Sequence, residues 1–504
     1  MSHNSTGRIA AIIRADFLIR FRRLSTVIIF LFLSGFAYVW VPDAATGRTL
    51  MQINGARVLY NSAAIGMGTS MLASVFIGLF GFYVVSNAVR RDVNSRCGYV
   101  IASTTMRSGE YIIGKFLGNV VFLTTFISGY MAASMAMLLV RGEAPLEPLI
   151  FMKQYAIVTP STIVFISVAA IVFESIPWLS GRFGDVFYFF VYAASLGIVA
   201  SSMEQGGGGV LRFFDFSSFG YLMEQCRETF HTTSMSIGAS SFNAAKAPIT
   251  IAGLNLAGDA WATRLVSTIT PIPMLLLARV FFHRFDPARI RAAGVKGKRG
   301  WMRSFNALAK PFVRPLAAIP VRGAAMTDAM MTFAITPFAG IALIGITIAS
   351  LASPKSLPIT FAIAAIVISD IASRDRRAGT TALLSASPRL RENTVLWKFA
   401  SASILAAMLL IVPLVRSPIS VITGILLIAA AATSLGVISG NPKTFIVLFL
   451  TFWYIVVNDH GKAKALDFAG FYGPPPMGVV VMYVGIAMAF LATAAIVYRA
   501  RLSV

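Results

Sequence analysis

Apolar residues run along this chain in blocks of about 20, the length that crosses roughly 30 Å of hydrocarbon as a helix. The blocks recur from one end to the other and predict twelve membrane spans, near 25–42, 63–89, 113–140, 155–177, 184–203, 262–282, 334–353, 357–373, 395–415, 417–438, 443–458 and 476–499. Before the first block, Ile9, Ile13, Phe17, Phe21 and Leu24 recur three or four apart, with Arg8, Arg14, Arg22 and Arg23 mostly elsewhere. That spacing predicts an amphipathic helix lying in the interface, with Arg20 inside its apolar stripe and obliged to snorkel. The segment 43–62 reads as a polar loop, and the stretch from Glu204 to Ala260 as short helices resting on or dipping into the outer surface.

Two polar inserts interrupt the pattern in the same way. Arg90 to Phe116, RRDVNSRCGYVIASTTMRSGEYIIGKF, follows the second block; Ser373 to Phe399, SRDRRAGTTALLSASPRLRENTVLWKF, follows the eighth. Aligned without gaps at one constant offset, they match Arg91 with Arg374, Asp92 with Asp375, Lys115 with Lys398 and Phe116 with Phe399. Near 324–333, Thr327-Asp328 and Phe333 likewise match Ala15-Asp16 and Phe21 ahead of the first block. The chain therefore reads as a duplication: a first six-span half over 1–284, a basic linker over 285–323 and a second half over 324–504. Repeats with an even number of spans share one topology and are related by an axis along the membrane normal.

At Arg374, Asp375, Gly379, Leu383-Leu384, Ser387-Pro388 and Lys398 the chain resembles the permeases of type-2 ABC transporters. Their loop between spans two and three reads Arg-Glu, Gly, Leu-Leu, Ser or Thr with Pro, then Gly-Lys. The first insert departs from that pattern, with Thr105 where the second has Pro388 and no Leu-Leu pair. The resemblance implies an all-α integral membrane protein, twelve transmembrane helices as two six-span parallel repeats, with interfacial elbow helices and cytoplasmic coupling helices. It implies that Arg91, Asp92, Lys115, Arg374, Asp375, Gly379, Pro388 and Lys398 couple the bundle to two ATP-binding cassette ATPase subunits. It also implies export as the direction of transport, and one chain supplying what usually takes two polypeptides.

Composition fixes the class. Hydrophobic residues make up 57% and charged residues 12%, with a mean hydropathy of +0.76; a soluble domain has about a quarter charged. The formal charge of +23 is distributed as the positive-inside rule requires, which assigns the inserts, the linker and both termini to the cytoplasm. Excess Lys and Arg on that face suit anionic lipid head groups and acidic partner surfaces rather than nucleic acid. Eleven Lys and Arg between Arg279 and Arg322 are tied to membrane at both ends, which makes a lipid-touching connector of that stretch. The expected location is a bacterial inner membrane. Cys97 and Cys226 fall on opposite sides, so no internal disulfide is expected, and His3, His231, His283 and His460 lack ligand spacing. Charges within MSHNSTGRIAAIIRADF argue against a cleavable signal peptide.

The chain holds no phosphate-cradling loop: GVKGKRG fails the Gly-x-x-x-x-Gly-Lys-Ser/Thr spacing. No cofactor is expected in it, and ATP and Mg belong to the separate ATPase; no acid, base and nucleophile assemble with specificity, so the chain itself is not expected to be an enzyme. Phe187, Tyr188, Phe190 and Tyr192 in block five, and Phe449, Phe452, Trp453 and Tyr454 in block eleven, are the candidate lining of an apolar path for a lipid, amphiphilic peptide or hydrophobic drug. The alternative is a twelve-span ion-coupled carrier of the major-facilitator kind. That class carries Gly-x-x-x-Asp-x-x-Gly-Arg-Arg between spans two and three, which is missing here, and needs carboxylates or other ionisable groups deep in its spans, where the blocks hold almost none: Glu174 and Asp370 lie near cytoplasmic ends and Asp185 opens block five. A membrane scaffold without cargo is the third class.

Overall fold

The apolar blocks fold as helices because lipid offers a peptide group no partner, so each N–H must find its C=O within the segment. A computed structural model describes residues 3–22, 24–176, 178–204, 209–232, 234–254, 259–282, 285, 323–336, 338–381, 386 and 391–502. The chain is a multi-pass membrane protein, mostly helical, and forms two compact units, Met1–Ala293 and Gly294–Val504.

Twelve spans are too many. Among the described residues six helices are long and apolar enough to cross a membrane: Ser62–Val93, Ser108–Arg141, Pro148–Ser175, Ala260–Phe281, Pro418–Ser439 and Met477–Arg501. A seventh follows if Ala324–Ala334 and Ala339–Ala352, bent by 91°, count as one crossing. The expected first, eighth and ninth spans are helices of 17, 12 and 16 residues, Leu24–Trp40, Leu357–Ile368 and Thr394–Leu409. At 1.5 Å per residue each falls short of roughly 30 Å. Polar residues and prolines cut them: Ser369-Asp370 follows the second, and the third gives way at Leu410 to Ile411–Arg416, which contains Pro413.

In unit 1 the helices are α1 (His3–Phe21), α2 (Leu24–Trp40), α3 (Ser62–Val85), α4 (Ala88–Asn94), α5 (Cys97–Ser103), α6 (Ser108–Arg141), α7 (Pro148–Ser175), α8 (Arg182–Glu204), α9 (Phe219–Phe230), α10 (Asp259–Ile269) and α11 (Leu275–Phe281). The all-α expectation fails at one end of this unit, where β1 (Arg48–Ile53), β2 (Ala56–Arg57) and β3 (Met235–Ser241) make an antiparallel sheet in the order β2-β1-β3. Asn54-Gly55, with φ of 49° and 77°, turns β1 into β2, the dipeptide that a two-residue hairpin with positive φ at both positions favours. β3 joins from far along the chain, pairing Ile53 with Met235 and Arg48 with Ser241. Met51, Ile53 and Val58 pack with Met67 and Met71 of α3 and with Tyr221 and Leu222 of α9 in one core. No strand is found among the described residues of unit 2, so the two units do not repeat element by element.

Arg20 does not snorkel. It is 5% exposed, 3.6 Å from Asp16 and over the Phe122 ring, because α1 lies against α6 with its Asp16 and Arg20 side inward. Unit 2 comprises α12 (Ala324–Ile335), α13 (Ala339–Ala352), α14 (Leu357–Ile368), α15 (Arg374–Ala378), α16 (Thr394–Leu409), α17 (Ile411–Arg416), α18 (Pro418–Ser439), α19 (Pro442–Asp459) and α20 (Met477–Leu502).

Candidate functional site

The first insert folds as α4 and α5 before α6 begins. α4 has no cap of its own, since Asn87 is left-handed with φ 74°. Glu174, at the far end of α7, supplies it, accepting from the N–H groups of Ala88 (3.0 Å), Val89 (2.7 Å) and Arg90 (3.2 Å). A carboxylate at a helix N-terminus satisfies orphan donors and the helix dipole together. It fixes the helix that carries Arg91 and Asp92.

Those two residues and Lys115 meet a fourth, Asp16 of α1. Arg91 donates to Asp16 at 2.5 Å, Lys115 lies 2.9 Å from Asp16 and 2.7 Å from Asp92, and Arg91 Nε is 3.7 Å from Asp92. The Asp16 and Lys115 side chains are only 4% and 3% exposed. Gly114-x-x-x-Gly118 on α6 makes room for α1: a Cβ at Gly114 would stand 2.9 Å from Ile12, and one at Gly118 3.7 Å from the Asp16 Cβ. Small residues four apart let two helices approach closely.

Unit 2 builds the same corner. Arg374 donates to Asp328 at 2.5 Å, Lys398 stands 3.3 Å from Asp328 and 2.5 Å from Asp375, and Arg374 Nε is 3.9 Å from Asp375. Ser401, which the insert alignment sets against Gly118, keeps the position small and donates to Asp328 at 2.8 Å. Gly379 ends α15 in the left-handed region, φ 72°, with its N–H turned back toward Asp375 and Arg376. Pro388 and Leu383-Leu384 lie outside the described residues, as does the linker over 286–322.

Each corner sets two carboxylates against two cations. Buried charges are retained where each is paired and hydrogen-bonded. Arg91, Asp92, Lys115, Arg374, Asp375 and Lys398 therefore hold their inserts to α1 in unit 1 and to α12 in unit 2, and are not free surface charges. Asp16 and Asp328 are the members that insert alignment cannot find, being outside the inserts. Their signal was the match of Thr327-Asp328 to Ala15-Asp16.

Comparison of the chain with protein-family models, with curated proteins and with solved structures returns no match. The resemblance of the inserts rests on their own residues.

The aromatic sets are largely taken up by packing within each unit. Tyr188 stacks on Phe82 at 3.9 Å and donates to Gly78 O at 2.7 Å; Tyr192 donates to Ser74 O at 3.3 Å. Phe449 and Phe452 meet Phe468, and Trp453 donates to Pro358 O at 2.8 Å. Tyr454 is half-buried, while Phe187 and Phe190 face outward, 41% and 36% exposed.

A polar centre in unit 1 escaped the sequence reading. Arg264 of α10, within the crossing Ala260–Phe281, is 5% exposed. It donates to Asp215 O (3.1 Å), to Ser161 Oγ (2.5 Å) and to Ser218 Oγ, and lies 3.8 Å from the Asp215 carboxylate. A single Arg among apolar residues gave no sign of which distant carboxylate it would meet. Among the described residues no group of His, Cys, Asp and Glu is arranged to hold a metal.

Proposed function

We propose that this chain is the permease of an ABC exporter, with both inserts facing the cytoplasm as docking elements for two ATPase subunits supplied in trans. The observation that carries the reading is the corner built twice: Asp16, Arg91, Asp92 and Lys115 in one unit, Asp328, Arg374, Asp375 and Lys398 in the other. In each, an insert that follows an apolar helix is locked by ion pairs to another helix, α1 or α12. A push on the insert would thus reach two helices at once, which a passive loop would not achieve. The repetition supports a duplicated docking element in one chain, working with ATP and Mg held by its partners. The cargo on this reading is a lipid, an amphiphilic peptide or a hydrophobic drug, and the membrane a bacterial inner membrane.

The test is affinity purification of the intact chain from its own membranes, followed by reconstitution. An ATPase that co-purifies, and whose hydrolysis loses dependence on the permease in Arg374→Ala, supports the proposal. A chain that purifies alone and moves solute in response to a pH gradient overturns it.

One observation favours the ion-coupled carrier instead: Arg264 and Asp215 are ionisable and buried within unit 1. Asp215, however, already accepts from Ser217 Oγ and from Tyr221 N, at 2.9 and 3.0 Å. The guanidinium is held by three oxygens. Neither is placed to exchange a proton with a passing ion.

A further inference from the structure

The crossing Ala260–Phe281 is two rods. α10 stops at Ile269 and α11 starts at Leu275; between them Pro271 and Pro273 force a 3-10 turn at Ile272–Met274. Proline supplies no N–H and its ring collides with the preceding turn, so the helical ladder is interrupted there. Each rod is gripped at a different end of unit 1.

α10 grips the segment Gly209–Phe230. Arg264 reaches Asp215 and Ser218 and sits over the Tyr221 ring, and Ser267 donates to Arg212 O at 3.2 Å. The tip of that segment, Asp215–Ser218, is non-helical backbone whose Phe216 and Ser217 carbonyls are satisfied by neighbouring hydroxyls. Phe216 O accepts from Ser161 (3.1 Å) and Thr162 (2.6 Å), and Ser217 O from Ser74 (2.8 Å). Ser74 and Thr162 lie near the middle of α3 and α7, roughly 18 Å along the axis from the start of α3 at 1.5 Å per residue. The tip therefore dips to mid-helix depth, where non-helical backbone persists only when covered by protein.

The residues just past α11 meet the insert. Phe282 stacks on Tyr111 at 5.2 Å, and Phe285 meets Tyr111 edge-on and presses on Gly98 of α5, where any Cβ would collide with its ring. Tyr111 in turn donates to Asp92 of the charge corner at 2.8 Å.

We infer that this broken helix links the insert to the mid-depth tip. Movement of α4 and α5 shifts α11 through Phe282 and Phe285, the rods pivot at Pro271-Ile272-Pro273, and Arg264 draws the tip with α10. Arg264 is a positioning residue in this linkage, and the inference holds whatever drives the insert. Energetic coupling between distant sites is established by perturbing one and reading the other.

The test uses the full chain with Cys97→Ser and Cys226→Ala and one reporter thiol, Ser217→Cys at the tip, labelled with a water-soluble maleimide. Arg264→Met is expected to raise its labelling at least about tenfold, since charge-assisted hydrogen bonds are lost, and Arg264→Lys to restore part of the protection. Phe285→Ala, at the opposite end, is expected to raise tip labelling several-fold while a second reporter, Ser167→Cys in the buried face of α7, stays protected. Phe282→Leu serves in the same role if Phe285→Ala fails to fold. Unchanged tip labelling in the insert-end variants overturns the linkage, and so does an equal rise at Ser167→Cys, which would mark general loosening.

Discussion

The two charge corners share four residues of three types and four pairings, yet they are bedded differently. Asp16 faces three cations, Arg91, Lys115 and Arg20, from a site only 4% exposed. Asp328 faces two, Arg374 and Lys398, is 12% exposed, and receives a hydroxyl from Ser401. The Asp92 side also receives Tyr111, through which unit 1 grips α11. A corner can thus keep its pairings while its surroundings diverge, since ion pairing depends on four side chains and burial on everything around them.

The sharpest way to break that comparison is to remove the shared carboxylate. Asp16→Ala takes one carboxylate from Arg20, Arg91 and Lys115 together and is expected to cost about 3–5 kcal/mol, read as a lowered unfolding midpoint in detergent. Asp328→Ala is expected to cost less, and an equal or larger loss there would refute the difference. Asp16→Asn combined with Lys115→Met should recover part of the loss, because removing both charges of a buried pair is tolerated better than removing one.

The thiols compare the insert with the buried end of the unit. Cys97 is exposed on α5, whereas Cys226 is buried on α9 and its thiol is pushed up to about 11 by desolvation. Thiolate is the reactive form. Near pH 8 Cys226 is expected to react much more slowly than the exposed Cys97, because burial both shields its thiol and keeps it protonated. The gap should narrow as pH rises toward 11, and comparable rates at pH 8 would contradict the burial of α9.

Packing gives the next contrast. A methyl at Gly78 of α3 would overlap the Tyr192 ring, so Gly78→Ala is expected to cost about 1–3 kcal/mol. Gly345 and Gly485 of unit 2 have nothing within 4 Å of that position, and alanine there is expected to be neutral or to gain up to about 1 kcal/mol. A modest loss is expected at Gly379. Its left-handed cap makes Gly379→Ala cost about 1 kcal/mol, seen as faster amide exchange over Arg374–Ala378.

By itself the sequence determined that this is a membrane protein, where its longest helices lie, and which inserts carry matched charges. Expected runs 113–140, 417–438 and 476–499 reappear as Ser108–Arg141, Pro418–Ser439 and Met477–Arg501. Long apolar blocks need no distant partner to close their hydrogen bonds, so they are legible locally. What joins distant segments was left to the tertiary structure. The pairing of β1 with β3, the burial of Arg20, the meeting of Arg264 with Asp215 and the arrival of Asp16 and Asp328 at the inserts all join residues whose own neighbourhoods name no partner. Tertiary structure also shortened the expected spans, since a run of apolar residues shows that a helix can be buried but not how far it continues before a proline or a polar pair ends it.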